Sequence, residues 1–141
     1  DAEAAVAHAL KMLDEGADII DVGGDDTGAV ALGQYSAVLN NFGCELYYVV
    51  NRYRFLTSTP EEAVELLRDI EQVSRIKAKG IINCSNLGSQ TSADDVKVTA
   101  DYALKCAQAA GVAVAMTAAE RALGVDGAYP VDVYVRPFWE E

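Results

Sequence analysis

Residues 45–83, ELYYVVNRYRFLTSTPEEAVELLRDIEQVSRIKAKGIIN, contain the pattern that decides the fold. A β-branched and aromatic run at 45–50 and a second short apolar run at 78–83 each predict a buried strand. Between them, Thr59 is followed by a proline and then by Glu62, which is the sequence of a helix N-cap with a capping box. Apolar residues then recur with a helical period, so the segment predicts a right-handed βαβ unit.

The same alternation of helical and strand patterns continues on both sides of this unit. It predicts an α/β fold: a three-layer α/β/α, doubly wound and mainly parallel sheet of about five strands with helices on both faces. No linker, repeat or low-complexity tract interrupts the chain, so we expect residues 1–141 to form a single α/β domain. The predicted helices span 2–15, 28–42, 59–75 and 92–111, and the predicted strands span 17–22, 45–50, 78–83, 112–116 and 131–135.

Composition limits the classes of function. The chain has 141 residues, of which 51% are hydrophobic, and this is enough for one domain with a real core. No apolar stretch reaches the roughly 18 residues of a membrane span, so we expect a soluble, cytoplasmic protein with no membrane partner. The net charge of −11 gives no support for a nucleic-acid partner. The three cysteines lack metal-site spacing and are expected to be buried, reduced thiols.

An aspartate and two glycines follow the first predicted strand. The run at 17–22 contains Asp21 and is closed by Gly23 and Gly24, which is the shape of a Walker B element. There the carboxylate holds Mg²⁺ directly or through water, and the glycines let backbone amides approach a phosphate. On local pattern alone, a solvated turn that ends a strand explains the same residues.

Amides and cations follow the next two strands. Asn83 offers the paired donor and acceptor that can read the edge of a purine, although it could equally cap the turn that follows it. Asn51 follows the predicted strand at 45–50. The nearby Arg52 and Arg54 could bind an anion or stay solvated. His8, the only histidine, lies on the first predicted helix, far in sequence from any strand end. We therefore predict no catalytic residue in this chain.

Four segments together resemble one group of proteins. IIDVGGDDTGA at 19–29, VVNRYR at 49–54, GIINCSNLG at 80–88 and VRPFWE at 135–140 resemble ParA/MinD-like nucleotide-binding proteins, the deviant-Walker P-loop ATPases that also include CobQ and CobB. The similarity spans about residues 17–141. It implies a nucleotide-dependent switch ATPase with ATP and Mg²⁺ as cofactors and with a P-loop NTPase fold.

The resemblance also implies roles for particular residues. Asp21 corresponds to the aspartate associated with Mg²⁺, and the two glycines after it correspond to the switch that senses the γ-phosphate. Asn83 takes the place of the asparagine that recognises the base. The cofactor-binding set implied by the resemblance is Asp21, Gly23, Gly24, Asn51, Asn83, Arg136 and Pro137, with Asp21 as the metal residue.

The chain departs from these ATPases in one respect. They carry an amino-terminal Gly-rich P-loop, and no G-x-x-x-x-G-K-[ST] sequence occurs in these 141 residues. We therefore expect the chain to be the carboxyl-terminal part of a larger domain. The parent protein is expected to bind and hydrolyse ATP, with a homodimer that sandwiches nucleotide as a possible assembly. The chain alone is expected to bind ATP weakly or not at all and to be non-catalytic.

Three alternatives stay open. The first is a non-catalytic interaction module on the same fold. The second is an enzyme related to cobyrinic-acid amidating synthetases. The third is a pterin-binding segment, because GADIIDVGG at 16–24 resembles dihydropteroate synthases, which are TIM barrels. The continuation at 26–29 differs from that family, and a full barrel needs on the order of 250 residues.

Overall fold

The structure is a computed structural model that describes residues 7–8, 11–12, 14–19, 21 and 26–134. Short 3₁₀ turns lie in three of its loops, at Phe55–Thr57, Gly88–Gln90 and Arg121–Leu123. The helices are α1 (Asp26–Gln34), α2 (Ser36–Asn41), α3 (Pro60–Ser74), α4 (Ala93–Lys97) and α5 (Ala100–Ala110), and the strands are β1 (Leu46–Val50), β2 (Ala78–Asn83), β3 (Ala113–Glu120) and β4 (Tyr129–Val131).

The chain divides into two compact units. The first contains Asp1–Leu46 and Glu65–Lys79, and the second contains Tyr47–Val64 and Gly80–Glu141. In the first unit, α1 and α2 follow one another, and Lys79 forms an ion pair with Glu45. The second unit holds most of the sheet, helices α4 and α5, and the loops that follow β1 and β2.

The four strands form one sheet in the order β1-β2-β3-β4, which is also their order in the chain. β2 pairs in parallel with β3, and β3 pairs in parallel with β4. The predicted parallel α/β sheet is therefore confirmed at this coarse level. Strands added in chain order move across a sheet in one direction, and right-handed crossovers then place the connecting helices on one face. A doubly wound sheet reverses its strand order, and the described strands contain no such reversal.

Burial along the strands fits a sheet with one covered face. In β1, Tyr48 and Val50 are 8% and 0% exposed, whereas their neighbours Tyr47 and Val49 are 37% and 52% exposed. Met116 of β3 is also partly exposed. The two helical layers of the predicted three-layer fold stay a prediction.

Helices α3 and α4 begin directly after their predicted caps, α1 begins two residues before the predicted start, and two of the predicted helices are broken. The capping box before α3 is confirmed, because the amide of Glu62 donates to Thr59 Oγ1 at 3.3 Å and Glu62 Oε2 accepts from the amide of Thr59 at 3.1 Å. The hydroxyl of Ser58 and these contacts hold the pKa of Glu62 below its ordinary value. The helices predicted at 28–42 and 92–111 are each two helices, with breaks at Tyr35 and at residues 98–99.

Two of the predicted strands are wrong in whole or in part. The described residues of the run at 17–22, which are 17–19 and 21, are not in a strand. Ile19 is 86% exposed rather than buried, and a strand persists only where its backbone has a ladder partner. The last strand is β4 at Tyr129–Val131 rather than 131–135, because pairing with Ala118–Glu120 of β3 sets its position. Residue 135 lies outside the described residues.

Two buried tyrosines lie in the second unit, Tyr48 on β1 and Tyr102 on helix α5. Helix α5 packs on β3 and buries Tyr102 and Cys106. The Tyr102 hydroxyl donates to the carbonyl of Thr57 at 2.5 Å, whereas the Tyr48 hydroxyl has no hydrogen-bond partner among the described residues. Burial raises the pKa of Tyr48 to about 12, with Cys106 adding to the effect, and burial also raises the pKa of Tyr102. One hydroxyl therefore stabilises the fold, and the other is a desolvated donor without a partner.

Prediction on the covered face. Val50→Ala should lower the free energy of unfolding by about 2 kcal/mol, because it removes fully buried apolar volume. Val49→Ala removes the same atoms from the exposed face of the strand. It should change the free energy of unfolding by less than about 0.5 kcal/mol. Urea unfolding of the two variants makes the comparison directly. Equal losses would show that both faces of the strand are covered.

Prediction on the buried tyrosines. Tyr48→Phe should raise the free energy of unfolding by about 1 kcal/mol, because it removes an unpaired buried hydroxyl. Tyr102→Phe should lower it by about 1 kcal/mol, because a hydrogen bond is lost. The Tyr48 phenol titrates near 10.0 in an unfolded chain and near 12 in the fold, so its contribution is complete below pH 10 and is lost as the pH rises towards 12. Tyr48→Phe should make that alkaline loss of stability shallower, and an unchanged slope would contradict the assignment.

Candidate functional site

Two adjacent loops follow the carboxyl ends of β1 and β2. We call residues 51–57 and 83–90 the rim, because they form the edge of the sheet at which parallel strands end. The sequence placed Asn51 and Asn83 there, and the structure has Asn51 directly after β1 and Asn83 as the last residue of the neighbouring strand β2. Ligands of open α/β sheets bind at this edge.

The Asn51 side chain joins the two loops of the rim. Its Nδ2 donates to the carbonyl of Asn86 at 3.2 Å, and its Oδ1 accepts from the amide of Asn86 at 3.3 Å. The same oxygen accepts from the amide of Tyr53 at 3.0 Å, which closes a turn within its own loop. A side-chain amide thus provides the paired donor and acceptor that a neighbouring strand would otherwise supply.

The Asn83 side chain is a fully buried junction beneath the rim. Its Nδ2 donates to Thr99 Oγ1 at 2.9 Å, and its Oδ1 accepts from Ser85 Oγ at 2.7 Å and from the amide of Ser85 at 3.2 Å. Asn83 and Thr99 are 0% exposed and Ser85 is 1% exposed. Ser85 Oγ also accepts from the amide of Arg52 at 3.0 Å, so the junction extends to the other loop. The purine-reading role of Asn83 stays a prediction, since its amide is enclosed in this arrangement.

Further hydrogen bonds anchor the loop after β1. Thr57 Oγ1 donates to the carbonyl of Asn51 at 2.6 Å, and the amide of Arg54 donates to the same carbonyl at 3.1 Å. The Tyr53 hydroxyl donates to the carbonyl of Asp95 at 2.9 Å, and the Tyr102 hydroxyl donates to the carbonyl of Thr57. The loop is therefore tied at its start, middle and end, which fixes the backbone that carries its exposed side chains.

The sequence did not single out the exposed apolar residues of this loop. Phe55 is 90% exposed and Leu56 is 65% exposed, and both lie in the 3₁₀ turn between the anchored residues. Arg52 and Arg54 beside them are exposed as well. The signal in the sequence is an apolar pair flanked by arginines in a loop, where neither strand nor helix periodicity predicts burial.

The other predicted site residues lie elsewhere or outside the description. Asp21 is exposed and belongs to the first unit. In the part of the chain that the structure describes, no group of three or more His, Cys, Asp and Glu side chains could hold a metal ion. The implied role of Asp21 at Mg²⁺ stays a prediction. Gly23, Gly24, Arg136 and Pro137 lie outside the described residues, and their implied roles stay predictions.

A second polar feature lies at the loop between β3 and β4. Arg121 makes two hydrogen bonds of 2.9 Å to the Asp132 carboxylate, which holds the pKa of Asp132 below its ordinary value. Glycines at 124 and 127, both with positive φ, shape a surface depression of about 290 Å³ beside this pair. The guanidinium is already occupied by a carboxylate, so the depression offers a ligand no free charge from Arg121.

Comparison with known proteins gives one match. Residues 1–38 match the model of a family described as pterin binding enzyme, which covers less than a third of the chain. No curated protein and no solved structure matches the chain. Among the described residues, no helix combines the length and the apolar character needed to cross a membrane.

Prediction on the buried junction. Thr99→Val should lower the free energy of unfolding by about 1–3 kcal/mol, because Asn83 Nδ2 would lose its partner in a site without water access. Thr99→Ser keeps the hydroxyl and should recover most of that loss. Thermal or urea unfolding of both variants measures the difference. If Thr99→Val is as stable as the wild type, the hydrogen bond from Asn83 contributes nothing to stability.

Proposed function

We propose that this chain is part of an ATP-binding protein of the ParA/MinD type, a nucleotide-dependent switch, and that its rim contacts the adenine nucleotide. The observation that carries the proposal is the set of hydrogen bonds that joins the two rim loops. Asn51, Asn83 and Ser85 all take part in this set. It lies at the carboxyl end of a parallel sheet, the position at which such folds bind ligands. The similarity of the rim segments at 49–54 and 80–88 to the ParA/MinD group adds to this support.

The chemistry of the rim suits a nucleotide. Two exposed guanidinium groups can pair with phosphate oxygens, and an exposed aromatic ring can stack on a base. Because hydrogen bonds already fix the loop backbone, the loop loses little conformational entropy when a ligand binds. The rim is thus arranged for binding, and the described part of the second unit contains no histidine to serve as a general base.

The complete protein, in this proposal, adds what these residues lack. Its P-loop, Mg²⁺ and ATP hydrolysis belong to a doubly wound P-loop NTPase domain of which this chain is the carboxyl-terminal part. Such a domain could sandwich nucleotide in a homodimer. The chain alone, without a G-x-x-x-x-G-K-[ST] sequence, contributes contacts to one part of the nucleotide and no turnover.

A second candidate is pterin binding. The match of residues 1–38 to a pterin binding enzyme family favours it, and so does the strand order, because strands that follow chain order with one covered face are the arrangement found within a (β/α)₈ barrel. In this reading, Asp21 and the glycines after it would belong to a loop that holds a pterin. The two candidates therefore place the ligand at different residues of the chain.

Prediction on ligand choice. Adenosine and Mg-ATP at millimolar concentration should shift the amide resonances of Asn51, Asn86 and residues 52–57, with a dissociation constant of about 1 mM for adenosine. The amide resonances of Tyr129 and Val131 should stay in place and serve as the internal reference. A pterin such as 6-hydroxymethylpterin, added in a parallel titration, should leave the rim unchanged. Two-dimensional ¹H–¹⁵N NMR of the isotope-labelled chain makes the measurement.

Each outcome of these titrations decides between the candidates. Shifts at residues 1–38 with the pterin and none at the rim with adenosine would replace the nucleotide proposal with pterin binding. No shift with either ligand would contradict both. Micromolar affinity for Mg-ATP would contradict the weak binding proposed for the chain alone.

A further inference from the structure

The asparagines of the rim are already committed to the fold. Asn51 bridges to the second loop with both of its amide atoms, and Asn83 is enclosed with partners on both of its own. Asn86 donates to the carbonyl of Cys84 at 2.8 Å and accepts from the amide of Gly88 at 3.1 Å. A ligand that bound these side-chain amides would have to break the hydrogen bonds that hold the two rim loops together.

The rim also carries exposed side chains that can meet a nucleotide. Arg52 and Arg54 are exposed and take part in no ion pair among the described residues, and Phe55 is 90% exposed. Their backbones are held by Ser85, by Asn51 and by the turn that ends at Thr57. The rim therefore presents two cations and an aromatic ring on a fixed backbone.

The stretch of chain that carries these side chains is basic, unlike the chain as a whole. Residues 46–60 contain two arginines and no acidic side chain, whereas the chain as a whole has a net charge of −11. A small basic area on an acidic protein attracts an anion to one place and disfavours it elsewhere. An extended polyanion such as DNA would meet the acidic remainder of the surface, so the area suits a small anionic ligand.

We propose that Arg52 and Arg54 contact the phosphates of the nucleotide and that the Phe55 ring stacks on its base, while Asn51 and Asn83 are positioning residues. This inference rests on the proposed nucleotide function and assigns its contacts to residues other than the asparagines. A guanidinium pairs with phosphate oxygens through two parallel hydrogen bonds, and an aromatic ring stacks on a base whatever its hydrogen-bonding edge. The rim should accordingly favour nucleotides over free phosphate chains and discriminate little between purine bases.

Prediction on the ligand contacts. Phe55→Ala should weaken both Mg-ATP and adenosine by about tenfold and leave inorganic tripolyphosphate unchanged, since only base stacking is lost. The double variant Arg52→Gln with Arg54→Gln should weaken Mg-ATP and tripolyphosphate by about tenfold and leave adenosine within about twofold. NMR titration of the three ligands against each variant measures these affinities. Guanosine should bind wild type within about threefold of adenosine.

Matched controls lie away from the rim. Phe42 is also a surface phenylalanine, 68% exposed, and Arg68 is an exposed arginine of α3, so Phe42→Ala and Arg68→Gln test the loss of an aromatic ring and of a charge as such. Both should keep wild-type affinities. Losses in these controls equal to those at the rim would overturn the assignment of contacts.

The two proposals fail in different ways. Wild-type affinity in the Phe55 and arginine variants, with nucleotide still bound, would overturn the contact assignment and leave the nucleotide function standing. No binding of any nucleotide by the wild-type chain would overturn both. Because the substituted side chains are exposed, the variants should unfold at the wild-type temperature, and a circular dichroism melt checks that each one is folded.

Discussion

The rim depends on one constraint: where β1 and β2 end, their backbone groups leave the sheet ladder and must find other partners. Asn51 and Asn83 meet this need with side-chain amides, one across the two loops and one in the buried layer beneath them. An unpaired buried polar group costs more than a typical hydrogen bond gains, so the two asparagines fix the course of both loops. The exposed residues of the rim take their places from that course.

The second unit buries two tyrosine hydroxyls, one of which has a hydrogen-bond partner and stabilises the fold, whereas the other has none among the described residues and destabilises it. Tyr102 donates to Thr57 and thereby connects helix α5 to the loop after β1. Tyr48, nearby in the same unit, buries a hydroxyl without a described partner, and its raised pKa reflects the same desolvation. The sheet's other face leaves Tyr47 and Val49 partly exposed. Stability in the second unit thus comes mainly from one face and from the loops at one edge.

The sequence predicted the central βαβ unit closely. The strand at 78–83 has the predicted bounds, the strand at 45–50 differs by one residue, and the capping box of Thr59 and Glu62 forms as expected. The helix predicted at 92–111 breaks at residues 98–99, where Thr99 turns its hydroxyl to the carbonyl of Val96 and accepts from Asn83. The break depends on a partner that is distant in the chain. The apolar periodicity of the helix carries no information about that partner, so it cannot predict the break.

The sequence by itself determined the alternation of strands and helices, their caps, and the positions of Asn51 and Asn83 at strand ends, because these follow from local periodicity and turn chemistry. Tertiary structure alone decided the strand order, the placement of β4 against β3, the burial of Asn83 and the exposure of Phe55. Pairing and burial depend on which distant segments meet. From the sequence alone, a side chain such as that of Asn83 can therefore be interpreted as a ligand contact or as a residue that stabilises the fold. Its partners in the structure distinguish the two roles.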